Sequence, residues 1–286
     1  MINYMAGIFD TEGSVTISKD TSRFAIQMCD IEPLKPFAEI FGGKIHLYYE
    51  GRENRNPLYQ WKIVGHQMQA TSILIPYLKL RRKKESLRLA LEWFRTKDKQ
   101  VRPSLKKIFD SLEPDLTPSH PIPEELDWEY LAGVWDGDGS STILKQREGF
   151  GETKPMLVLE MCDREIIDLL KCAGGLTRRS GRKRQDNHSQ SFRWEIVGKK
   201  IIPIAESLLP LMRIPRKKKA LACVLECARL TSIRGIARHG VPHHILKQRA
   251  ELRNLCQLLN RRGSEKIDHE SISIFVSENK QLSLLG

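Results

Sequence analysis

The chain has 286 residues, enough for two cores of about 100 residues or more. Lysine and arginine number 47 against 35 acids, a net charge of +12. That excess points to a polyanionic partner, nucleic acid before a membrane surface. Aromatic residues make up 7%, too few for a surface built on stacking against single strands. No apolar run reaches the ~20 residues of a membrane span. The N-terminal stretch holds Asp10 among apolar residues and no basic segment, so it does not read as a signal peptide. The six cysteines (Cys29, Cys162, Cys172, Cys223, Cys227 and Cys256) form neither a CxxC pair nor a zinc-ribbon spacing. A reducing, cytoplasmic setting is expected, and secretion is not.

In chain order, YMAGIFDTEG (Tyr4 to Gly13) reads as the end of a helix, with Gly13 expected to supply a left-handed closing residue. Ala6 and Gly7 carry little bulk, so another such helix could pack with its backbone unusually close. SVTISKD follows as an alternating strand, Val15 and Ile17 on one face, Ser14, Thr16 and Ser18 on the other. A turn leads to a second strand, RFAIQMCD. IEPLKPFAEIFGG predicts a helix closed by Gly42 and Gly43, and KIHLYYEG and PLYQWKIVG predict a hairpin. From Thr71 the pattern turns helical through Phe94. The order is αββαββα.

Residues 96–127 hold five prolines among charges and read as a linker with one short helix, Leu105 to Leu112. Asp127 is placed to cap the helix that follows. That helix, YLAGVWDGDG (Tyr130 to Gly139), opens a second run of the same order. The matches are specific: Met28-Cys29-Asp30 with Met161-Cys162-Asp163, Trp61 to Gly65 with Trp194 to Gly198, and Arg82-Lys83-Lys84 with Arg216-Lys217-Lys218. The chain thus divides into a first repeat (1–95), a linker (96–127), a second repeat (128–231) and an unduplicated extension (232–286), helical in pattern from Ile245 to Asn260.

Glu12 and Asp138 are the odd residues. Each stands at a helix C-terminus, where the macrodipole disfavours a carboxylate by up to about 1 kcal/mol. If the helices pack side by side, the two carboxylates also repel, and a divalent cation relieves both costs. These paired motifs resemble those of the LAGLIDADG homing endonucleases of the single-chain, two-motif type. The resemblance covers most of 4–95 and 130–229. It implies an α/β (α+β) fold of two pseudo-twofold-related halves, whose antiparallel sheets form a DNA-binding saddle. It further implies an intron-encoded, monomeric, site-specific endonuclease with one site per strand of duplex DNA, leaving staggered ends at a long asymmetric target. Members encoded in organelles work in the organellar matrix.

By the same resemblance, Glu12 and Asp138 bind Mg²⁺, with Mn²⁺ able to substitute and Ca²⁺ supporting binding without cleavage. Asp30 and Asp163 fall where the family positions a water, a helix N-cap being the other role open to each. The runs Arg81-Arg82-Lys83-Lys84 and Arg216-Lys217-Lys218-Lys219 fall where the family keeps a basic residue. Arg81 aligns best in the first copy, with Lys83 also a candidate. Pro215 occupies its counterpart, which brings Arg216 or Lys217 forward. Asp10 and Asp136 read as helix-interface residues. Alternation and family position put Thr16, Ser18, Arg23, Gln27, Lys44, His46, Tyr48, Gln60 and Lys62 on the DNA-facing side of the first sheet. Thr142, Gln146, Glu160, Arg178, Arg193 and Glu195 are their counterparts in the second.

Two other readings stay open: an RNA maturase that binds intron RNA, and a regulator that binds DNA without cutting. A zinc hydrolase built on His239, His243 and His244 is not expected. Gly240 and Pro242 interrupt any helix there, and no Glu follows His239 as HExxH requires.

Overall fold

The computed structural model describes residues 1–18, 20–51, 55–113, 125–145, 153–179, 190–232 and 241–261. The first repeat forms α1 (Ile2–Glu12), β1 (Gly13–Ile17), β2 (Ser22–Met28), α2 (Lys35–Phe41), β3 (Lys44–Tyr49), β4 (Leu58–Val64) and α3 (Arg81–Arg95). The linker contains α4 (Val101–Asp110). The second repeat forms α5 (Trp128–Gly137), β5 (Ser140–Lys145), β6 (Thr153–Met161), α6 (Arg164–Leu169), β7 (Leu176–Arg179), β8 (Phe192–Val197), α7 (Ile201–Leu208) and α8 (Pro215–Thr231). The last helix among the described residues, α9, spans His243–Leu259. Each repeat closes one four-stranded sheet, in the orders β1-β2-β4-β3 and β5-β6-β8-β7. The duplicated order expected from the sequence is therefore present.

The residues group into two compact units that do not follow the repeats. One holds Met1–Tyr49, Leu58–Gly139 and Val158–Glu195, and the other holds Glu50–Pro57, Ser140–Leu157 and Ile196–Gly286. In the first unit, α1 and α5 lie against each other so closely that neither Gly7 nor Gly133 could carry a side chain. A Cβ on Gly7 would stand 2.1 Å from the Tyr130 carbonyl oxygen, and one on Gly133 would stand 2.1 Å from that of Tyr4. The close approach expected from the Ala-Gly pairs is what the seam uses. Asp127 caps α5 as expected, accepting from the Tyr130 N–H at 3.0 Å.

Against this seam packs an aromatic core. The Phe9 and Phe24 rings stack at 4.5 Å, and Trp61 meets Phe24 edge-on at 5.5 Å. The Gly-Gly pairs after α2 and α6 have a common function. Trp61 Nε1 donates to the Gly42 carbonyl at 2.8 Å, and Trp194 Nε1 to that of Gly174 at 2.7 Å. The following glycines, Gly43 and Gly175, have φ of +81° and +92°, a region L side chains avoid.

Three sequence expectations change. Gly13 is not left-handed but extended, φ −72° and ψ 146°. Glycine is needed there for space, since a Cβ would fall 1.9 Å from the Phe9 ring, as one on Gly139 would fall 2.4 Å from Trp135. The helix expected from Thr71 is a 3-10 segment, Gly65–Leu74, and α3 begins only at Arg81. Between them the N–H groups of Lys79 and Leu80 donate to Asp10 at 2.8 and 3.2 Å instead of to helix carbonyls. The linker helix starts a turn earlier than expected, because Pro103 sits in its first turn, where a missing N–H costs nothing. There Arg102 covers the Trp93 ring at 4.6 Å.

In the second unit, α8 buries Ala220 to Leu225 and packs against α9, whose own buried positions include Leu252, Leu255 and Leu259. The helix expected in the extension is thus present, and it covers strand β5. Asn260 Nδ2 donates to the Ser141 carbonyl at 2.8 Å, and Arg249, only 4% exposed, donates to the Thr153 Oγ1 and carbonyl at 2.9 and 2.7 Å. His243 and His244 lie exposed at the start of α9, while His239 falls outside the described residues.

Candidate active site and nucleic-acid interface

The two motif acids leave the C-termini of adjoining helices. Glu12 is the last residue of α1 and Asp138 the residue after α5. The neighbours that precede them touch, since a Cβ on Gly137 would lie 2.0 Å from Thr11 Oγ1. Glu12 is half-buried and Asp138 exposed. Two residues back, Asp10 and Asp136 are fully buried and each accepts from a tyrosine of the other helix: Tyr130 Oη to Asp10 at 2.7 Å and Tyr4 Oη to Asp136 at 2.7 Å. Burial pushes the Asp10 carboxyl up to about 7, against the lowering from Tyr130, Lys79, Leu80 and Lys83. The role read for these acids, hydrogen-bonded residues of the helix interface, is the one they have.

The first turn of α3 delivers the basic run. Lys83 Nζ donates to the Gly13 carbonyl at the foot of α1 and lies 5.6 Å from the Phe9 ring centroid. Burial and the neighbouring Arg82 depress its pKa, while Asp10, Asp163 and Glu12 oppose that. Arg81, the residue that aligns best by sequence, is instead exposed. Arg82 forks onto Asp163, Nε to Oδ1 at 3.2 Å and Nη2 to Oδ2 at 2.8 Å. Asp163 is 4% exposed and stands at the N-cap position of α6, yet makes no capping bond. Both of its oxygens face Arg82. Asp30 is half-buried after β2. In the second unit, Arg216 and Lys217 are half-buried in the first turn of α8, which Pro215 opens.

A divalent cation fits the first unit's donor set. Carboxylate oxygens are hard ligands suited to Mg²⁺ or Ca²⁺, and two of them flank one helix seam. Among the described residues no three His, Cys, Asp or Glu side chains gather into a cage. An ion there would complete its shell with water and phosphate, as Mg²⁺ does at phosphate-handling sites.

The sheet faces differ from each other. In the first, register aligns Gln27 with Gln60 and Gln60 with His46, while Lys62 stands opposite both Ala25 and Lys44. Thr16 pairs with Arg23 at one edge. Thr16, Ser18, Arg23, Lys44, Tyr48 and Lys62 are exposed, and Gln27 and His46 half-buried. Gln60 is 4% exposed, covered at the centre of the sheet. In the second sheet the residues bind one another. Arg178 Nη2 and Arg193 Nε donate to the same Glu195 oxygen at 3.0 and 3.1 Å. Arg193 also reaches Glu160 at 3.9 Å, and Ser191 Oγ donates to Glu160 at 2.9 Å. Thr142 is half-buried on β5, and Gln146 lies outside the described residues. Sequence reasoning placed these charges on one face but missed their mutual pairing, because the partners are set by strand register.

No family model matches the sequence, and no curated protein matches it either. Solved structures do. I-AabMI, a LAGLIDADG meganuclease bound to uncleaved DNA, aligns with a TM-score of 0.63 at 17% identity, covering 90% of this chain and 98% of that one. I-GzeII, a LAGLIDADG homing endonuclease in complex with its DNA target, aligns at 0.60 and 14%, covering 89% and 97%. I-SmaMI, another, bound to cleaved DNA, aligns at 0.58 and 17%, covering 89% and 96%. It has also been observed on uncleaved target in the presence of calcium ions. The chain has the fold of the LAGLIDADG homing endonucleases.

Proposed function

We propose that this protein is a metal-dependent, site-specific endonuclease that cuts both strands of duplex DNA and acts as a monomer. The observation that carries the reading is the pair of acids, Glu12 and Asp138, leaving the touching ends of two helices related by the duplication. Two similar sites in one chain suit a substrate with two antiparallel strands. The structural relatives bound to DNA support the choice of duplex DNA as partner.

Glu12 and Asp138 are the residues that would hold the divalent cation at the two strand sites. When bound, such a cation would supply Lewis acidity to the scissile phosphate and to the attacking water. The remaining work falls to the chain. Lys83, half-buried beside Glu12, offers positive charge where the phosphate gains negative charge in the transition state. Lys217, its match in the duplicated sequence, is the corresponding candidate for the second strand. Arg81 and Arg216 approach the phosphate backbone from the same helix turns. Asp30 and Asp163 border the site, Asp30 orienting water and Asp163 acting through Arg82. The first sheet's Arg23, Lys44 and Lys62, with Gln27 and His46, read bases and phosphates along the major groove, while the covered Gln60 supports its neighbours Gln27 and His46 from the strand between them.

The test is cleavage of a randomised duplex library in Mg²⁺, with the cut ends sequenced, for wild type, Glu12→Gln and Asp138→Asn. The reading expects cuts at one long, asymmetric sequence, and single-strand nicks of opposite strands in the two variants. Selective duplex binding without any cut would replace it with a DNA-binding regulator, and selectivity only for structured RNA would replace it with a maturase.

A further inference from the structure

The first turn of α3 is electrostatically awkward. It stacks Arg81, Arg82, Lys83 and Lys84 at a helix N-terminus, where the dipole is already positive, with no acid in that turn and no side-chain cap from Leu80. The acids that answer it come from the other repeat. Glu165 accepts the Arg81 N–H with both carboxylate oxygens, at 3.2 and 3.2 Å. Two residues earlier, Asp163 takes the fork of Arg82. Glu165 is only 9% exposed, so its charge has little solvent to compensate it and the N-terminus of α3 serves instead.

We propose that Glu165 is a positioning residue for the cut made at the Glu12 site, an inference that rests on the nuclease reading. It fixes the start of α3 from outside that helix's own repeat. The position of that turn decides where Lys83 stands, and Lys83 reaches the Gly13 carbonyl beside Glu12. Catalysis is steep in such placement, a shift of about 1 Å costing as much as ~100-fold. The consequence runs against the order of the sequence. A residue of the second repeat governs the strand cut by the first motif, and the second motif's cut does not depend on it.

Strand-resolved, single-turnover cleavage of the selected target, comparing wild type with Glu165→Gln and Glu12→Gln, tests this. Thermal midpoint and duplex affinity in Ca²⁺ are measured alongside. The strand that Glu12→Gln leaves uncut is expected to slow about tenfold in Glu165→Gln, with the other strand's rate and the affinity nearly unchanged. A purely structural role would slow both strands together and lower affinity, and that result overturns the inference. So does slowing of the opposite strand, or no change. If Glu165→Gln does not fold, Glu165→Asp keeps the charge on a shorter arm and must show the same strand bias in smaller measure. A wild-type protein that cuts neither strand overturns the nuclease reading, and this inference with it. A cutting wild type without the strand bias overturns this inference alone.

Discussion

The helix seam and the sheet faces treat the duplication in opposite ways. Across the seam the two repeats are interchangeable: Gly7 and Gly133 each sit 2.1 Å, measured from a notional Cβ, from the other helix's carbonyl, and the two tyrosine-to-aspartate bonds are both 2.7 Å. On the faces they have diverged. The first presents lysine, arginine, histidine and glutamine, whereas the second ties Arg178, Arg193, Glu160 and Glu195 into a ladder of ion pairs. A seam that must bring two backbones together leaves almost no side-chain choice. A solvated face leaves nearly every choice open, so it can drift toward whatever sequence it reads. A target contacted by two such faces is expected to be asymmetric.

The largest effect should come from the seam. Gly7→Ala and Gly133→Ala are each expected to cost about 3 kcal/mol or more, because the clash is with backbone and cannot be relieved by a rotamer. Denaturant unfolding of the two variants checks this, and unequal losses would break the symmetry of the seam. Next comes pH. Asp10 has its folded pKa raised from 3.8 to about 7, so the folded state holds the proton longer than the unfolded chain. Its contribution is fully present below about pH 4 and is lost as pH rises through about 7, by no more than roughly 4 kcal/mol. Asp10→Asn should flatten that slope, read by thermal unfolding across the range. Leu80 and Lys79 keep an acceptor in this variant.

Smaller effects should separate the faces. Glu195→Gln releases Arg178 and Arg193 from a shared acceptor and is expected to tighten duplex binding in Ca²⁺ several-fold, with a steeper salt dependence. Lys62→Ala on the first face should do the reverse, lowering the slope of log affinity against log salt by about one. If the two variants moved affinity in the same direction, the contrast between an open face and a self-paired face would fail.

Much of this was legible in the residues alone. The Ala-Gly pairs announced a close helix contact, the matching Trp-x-Ile-Val-Gly segments announced equivalent strands, and Asp127 announced a cap. The assignments that failed were those where a local rule met a distant neighbour. Gly13 looked like a left-handed stop because helices often end that way, but the reason for glycine is the Phe9 ring. Thr71 looked like a helix start because the apolar spacing is helical. Asp10, 69 and 70 residues before Lys79 and Leu80, claims the N–H groups that would have continued it.

The sequence by itself determined the duplication, the order of elements, the seam and the two acids at helix ends, because these are written in composition and spacing that act within a few residues. Which cation of the basic run turns inward, Lys83 rather than Arg81, was decided only by tertiary structure. So were the capping of α3 by Glu165 and the self-pairing of the second face. Each depends on side chains from separate elements meeting at hydrogen-bond distance. Strand register and helix placement set that distance, and no spacing along the chain encodes it.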